Sequence, residues 1–165
     1  MTLSFSTHWP KDMPDVISGK PNHFVEKIWK SFGGVFMNQH FTMEVTQGLE
    51  NACYQWNYKA GDLKPKKHTM RMDASDRWKA GKKIHMVINN RQPNRFQFVP
   101  TVPCIATQKV ELKDWEYAMI DGKRLSTVEL SRLAINDGFP DVFSFMHWFQ
   151  GNWKGKLIHW TDLKY

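Results

Sequence analysis

Lys66-Lys67-His68-Thr69-Met70-Arg71 is where the chain turns from helical to β patterning, and the fold class is read outward from it. His68 to Met72 reads as a short strand. Asp73 to Gly81 follows as a turn with Trp78 embedded, and Lys82 to Asn90 alternates through Ile84, Met86 and Ile88. Alternation with a period of two places one set of side chains on a buried face. Asn89 to Asn94 is a turn cluster. Strands are then expected at Phe96 to Val99, Ile105 to Lys113 and Tyr117 to Ile120, the last entering a hairpin-type Asp121-Gly122 turn.

Before this β region, Leu3 to Ser6 alternates as an opening strand. Asn22 to Phe32 carries Phe24, Val25, Ile28 and Phe32 on one helical face, with Gly33-Gly34 as the stop. Residues 35–63 show no clear period and read as an irregular insertion with a strand at Phe41 to Val45. After the β region, Ser126 and Glu129 form a capping box for a helix that buries Val128, Leu130, Leu133 and Ala134. Pro140 opens a second helix with Val142, Phe143, Met146 and Phe149 as its core stripe, and Lys156 to Leu163 closes the chain as a strand. This order predicts a single α+β domain over 1–165, a small mixed β-barrel with helices at one side.

Composition agrees with a folded globular chain: 165 residues, 41% hydrophobic and 24% charged. The net charge is +7. Between Lys59 and Arg95 there are eleven Lys or Arg against three Asp, a local surplus of +8. Such a cluster attracts phosphate, so nucleic acid, RNA ahead of DNA, or a modified nucleoside is the expected partner. A solvated lysine-rich face is the plainer reading of the same charges. Cys53 and Cys104 lack the spacing of a zinc site, and no His falls at metal-ligand spacing, so neither metal nor cofactor is expected. With no signal-peptide pattern at Met1 to Trp9 and no long apolar run, a cytoplasmic location without membrane contact is expected.

The most chemical stretch is Lys64 to Arg71. On a strand Thr69 and Arg71 share a face, with Lys67 beside them, and Lys66 sits in looser backbone just ahead. Crowded cations lower one another's pKa, which prepares a lysine to act as a base. Asp137, at the end of the capped helix, is disfavoured by the helix dipole and needs a cationic partner. Its functional reading is a general acid/base facing the Lys66–Arg71 cluster; its plainer reading is a loop-entry Asp bonded to its own backbone. Trp9, Trp78 and Trp160, with His159, are candidate pocket walls, although each alone is more often packing.

Thr69-Met70-Arg71, then Arg77 to Ile84 with its Gly81-Lys82-Lys83-Ile84 strand opening, resembles the ASCH-domain pattern of a Lys and T-x-R before a turn. Leu133 to Phe139, the closing strand and the opening Leu3 to Trp9 are also similar to that family. The resemblance covers residues 1–20 and 64–165, leaving 35–63 as an insertion. A competing placement takes Gly19-Lys20 and Glu26-Lys27 as the family's charged element. The resemblance implies a PUA-like barrel. Some small bacterial members are amidohydrolases that deacetylate N(4)-acetylcytidine with a Lys, a Thr and a Glu. By position these roles fall on Lys66, Thr69 and Asp137, the last a departure one methylene short, with Arg71, Lys67 and the tryptophans binding substrate. Two functions stay open: a hydrolase acting on an acylated cytidine, and a non-enzymatic module that binds RNA or a modified base.

Overall fold

The computed structural model describes residues 1–57 and 62–165. The chain forms two compact units, each drawn from two stretches of sequence: 1–65 with 83–102, and 66–82 with 103–165. Among the described residues, five helices and nine strands in two sheets make this an α+β protein.

In the first unit β1 (Thr2–Ser4) pairs in parallel with β3 (Lys83–Ile88), setting Leu3 against Met86. β4 (Phe96–Gln97) runs antiparallel to β3, and β5 (Val102–Pro103) also pairs with β3 at the end of the unit. Ile84, Met86, Val87 and Ile88 are all buried, as expected of a strand with a parallel partner and cover on both faces. α1 (Phe24–Ser31) buries Phe24, Val25, Ile28 and Trp29, the face read from the sequence.

Residues 35–63 depart from expectation. Instead of an irregular segment with a strand at Phe41 to Val45, they contain helices: α2 (Gly33–His40) and α3 (Met43–Asn51). Part of that stretch, 58–61, and Lys59 of the basic cluster lie outside the described residues. The helical period is faint because α2 buries no side chain and α3 buries only Leu49. Gly48 further weakens the pattern, yet packing requires it: a Cβ there would run into the Phe96 ring.

In the second unit the strand order is β2 (His68–Arg71), β9 (Trp153–His159), β6 (Ala106–Lys113), β7 (Tyr117–Ile120), β8 (Lys123–Arg124). All neighbours are antiparallel, with His68 opposite His159 and Leu112 opposite Trp153. Asp121 and Gly122, both at positive φ (50° and 83°), make the two-residue hairpin turn between β7 and β8. α4 (Thr127–Asn136) has both halves of the Ser126–Glu129 capping box, but Val128 points to solvent and Leu133 and Ala134 form its buried side. α5 (Val142–Trp148) is capped by Asp141, whose carboxylate accepts from the Ser144 N–H at 2.6 Å, so Pro140 stands outside the helix. That shift changes the inward residue: Phe145 is fully buried, whereas Phe143 is 58% exposed. The closing strand also begins earlier than expected, at Trp153, and ends at His159.

Candidate functional site

The second unit brings Lys66 and Asp137 together across 71 residues of sequence. Lys66 lies just ahead of β2, where the Lys67 N–H donates to the Asn136 carbonyl (2.7 Å) and the Lys67 carbonyl accepts from Thr161 Oγ1 (3.3 Å). These bonds tie the strand entrance to the end of α4 and to the residues that follow β9. The Lys66 ammonium donates to both the side-chain Oδ1 and the main-chain carbonyl of Asp137. Asp137 is the last residue of α4's frame, and its N–H closes on the Leu133 carbonyl. The carbonyl that Lys66 caps is therefore one that the helix end leaves without an intrahelical donor. The cationic partner demanded by the helix dipole is Lys66.

Both groups are buried, Lys66 at 2% and Asp137 at 1% exposure. Burial is the larger influence on each and disfavours charge. It pulls the Lys66 amine down to about 8, against the opposing pull of Asp137, with the nearby Arg71 cation lowering it further. It also pushes the Asp137 carboxyl up, against Lys66, Arg71 and a hydrogen bond from the Met70 main chain. The pair is thus displaced toward its neutral form, an amine able to accept a proton and a carboxyl able to give one.

Arg71 is held below its ordinary value, first by burial, and donates through Nη1 to the Met70 carbonyl at 2.9 Å. Alternation along β2 puts Thr69 and Arg71 on the face opposite His68 and Met70. Thr69 is buried there. Gly155 on β9 is what allows β2 to lie so close: a Cβ would meet the Arg71 carbonyl oxygen and the Trp153 ring.

The expected pocket walls are packed. Trp78 is buried, with its main-chain N–H donating to Asp73 Oδ2 (2.8 Å) and its carbonyl accepting from Lys156 Nζ (2.7 Å). Trp160 is buried in the same unit. Trp9, in the first unit, is buried edge-on against Phe24 at 5.2 Å. Their burial is the work of core aromatics. The competing placement does not assemble: Lys20 reaches the Val16 carbonyl, while Glu26 is buried and accepts from Tyr54 Oη and the Asn57 N–H.

Three further residues, of which only His159 was singled out from the sequence, complete the surroundings. His68 and His159 are fully buried with ring centroids 5.3 Å apart, and Tyr165 Oη lies 2.8 Å from His68 Nε2. His68 alternates onto the same face as buried Met70, the one signal that could have placed it inward. Cys53 and Cys104 are free thiols, and no group of three or more metal-ligating side chains occurs among the described residues. Among those residues no helix is long and apolar enough to cross a membrane. Comparison with family models, with curated proteins and with solved structures finds no match to this chain.

Proposed function

We propose that the chain is an ASCH-type, PUA-like domain that hydrolyses the amide of an acylated cytidine, with Lys66 and Asp137 as its working pair. One observation carries the reading: a lysine and a carboxylate, 71 residues apart, meet at almost complete burial on the positions that the family resemblance singles out. A structural ion pair gains little from such burial, since desolvation offsets the attraction. A base gains from the same burial, because it brings the amine down to about 8 and so raises the neutral fraction near physiological pH.

In this reading the neutral Lys66 amine takes a proton from a water molecule or from the Thr69 hydroxyl as that oxygen adds to the acyl carbonyl. The tetrahedral oxyanion is steadied by the Arg71 guanidinium. The C–N bond then breaks as Asp137 delivers a proton to the exocyclic nitrogen, releasing cytidine. With water as the attacking group, acetate leaves directly. With Thr69, an acetyl ester remains on its hydroxyl and a water molecule then hydrolyses it.

The test is cytidine release from N(4)-acetylcytidine. Wild-type protein is expected to release it and Lys66→Ala to lose the activity by at least about 10²-fold, the usual contribution of a positioned base. Release that survives Lys66→Ala overturns the roles. An inactive chain that binds RNA with a steep salt dependence supports the binding-module reading instead, for which exposed Arg77 and Lys79 supply phosphate partners.

A further inference from the structure

The polar groups beside the pair form a partly buried line that the hydrolytic roles do not use. Asn136 Nδ2 donates to Tyr165 Oη at 2.9 Å, so this phenol oxygen already serves as an acceptor. Its own proton has two destinations, His68 Nε2 at 2.8 Å and the Arg132 carbonyl at 3.5 Å, and the shorter is the better bond. A phenol donating into Nε2 fixes a neutral imidazole as its Nδ1–H tautomer. The ring is neutral: burial above all, then His159 on β9 and Lys66 and Lys67 ahead of β2, keep His68 well below its ordinary range. Its Nδ1 has no hydrogen-bond partner among the described residues, yet stands 3.9 Å from Asp137 Oδ1, the very oxygen that Lys66 holds. No water fits between atoms so close, so about 1 Å of movement would close the bond directly.

We propose that His68 is a positioning residue that takes hold of Asp137 when Lys66 lets go of it, with Tyr165 fixing the tautomer that makes this possible. The inference rests on the reading of Lys66 and Asp137 as a hydrolytic pair. When Lys66 turns to its proton-transfer partner, Asp137 would be left as a buried carboxyl group without its hydrogen-bond partner. The Nδ1–H of His68 then supplies a hydrogen bond that keeps the carboxyl aimed at the leaving nitrogen. The groups facing His68 are thus Asp137 and Asn136 at the end of α4, Tyr165, His159 on β9, and the two lysines before β2.

Nitrogen-15 NMR of the His68 ring in the full chain tests the tautomer directly. The wild type should show a protonated Nδ1 and an unprotonated Nε2 at neutral pH, and Tyr165→Phe should shift the ring toward the Nε2–H form. Lys66→Met should move the Nδ1–H resonance downfield and slow its exchange as the bond to Asp137 closes. An Nε2–H ring in the wild type, or an Nδ1–H signal untouched by Lys66→Met, overturns the inference. These readouts need no activity, so they stand even if the chain hydrolyses nothing, a result that would sink only the functional reading. In an active chain, His68→Asn, whose amide N–H falls near Nδ1, should keep kcat within a few-fold. His68→Gln, which places its amide near Nε2, should lose about 10²-fold in kcat at unchanged KM, the loss expected for a 1 Å misplacement. Equal loss in both variants would reduce His68 to a packing role.

Discussion

At the scale of single residues, the question is why a lysine and an aspartate remain buried together. Removing one partner of such a pair leaves an uncompensated polar group, whereas replacing both with apolar residues of similar size is often neutral. Lys66→Met alone is therefore expected to lower stability by about 3 kcal/mol, and the double change Lys66→Met with Asp137→Leu to recover most of it. Denaturant midpoints of the three proteins decide this. A double variant as weak as the single would mean that the ion pair itself holds the unit together, and would remove the argument that it is retained for chemistry. Asp137→Asn carries a further expectation. Asp137 raises the Lys66 amine against the pull of burial, so without its charge the amine should titrate below the present value of about 8.

Among the elements, α4 and α5 show how local signals and packing divide the work. The Ser126–Glu129 capping box is complete, with the Ser126 hydroxyl accepting from the Glu129 N–H and the Glu129 carboxylate accepting from the Ser126 N–H. Ser126→Ala should cost about 1 kcal/mol in the denaturant midpoint. This cap was legible because it depends on two residues at fixed spacing. The phase of α5 was not, because Asp141 rather than Pro140 sets its start and rotates Phe145 inward in place of Phe143. Phe145→Ala should therefore destabilise by roughly 3–5 kcal/mol, as for a large core side chain, and Phe143→Ala by far less. The reverse order would restore the periodicity read from the sequence. The same contrast separates α1 from α2 and α3: α1 buries a full apolar face, while α3 owes its place to Leu49 and to the approach of Gly48 to Phe96, and α2 rests Phe36 against the Trp29 and Phe32 rings, none of which periodicity displays.

For the molecule as a whole, buried histidines make acid the weak side of stability. His159 is fully buried with neither ring nitrogen hydrogen-bonded among the described residues, and burial lowers it from 6.5 to about 4. Between those values the unfolded chain binds the proton and the folded chain does not, so stability falls as pH drops from 6.5 toward 4. His159→Leu should flatten that decline and leave stability at neutral pH equal or higher, since it removes two unpaired polar atoms. Thermal midpoints across the window check it; an unchanged acid decline would show that other groups control it. The α+β class and most strands were legible because alternation survives in β3, β6 and β7. Lys66 and Asp137 were legible through charge and helix-end logic, and His159 as a candidate pocket wall, but His68 and Tyr165 were not. Nothing in the local sequence announces a partly buried line that only the β2–β9 pairing and the end of α4 assemble. The division into two units was equally invisible, because each is assembled from two separated stretches of chain.

The central claim, that the buried Lys66 amine is a base poised for amide hydrolysis, is tested most directly by the pH dependence of kcat/KM for cytidine release from N(4)-acetylcytidine. The geometry predicts a rate that rises with pH through about 8 as Lys66 loses its proton. A profile flat through that region, or no release at any pH, would contradict it.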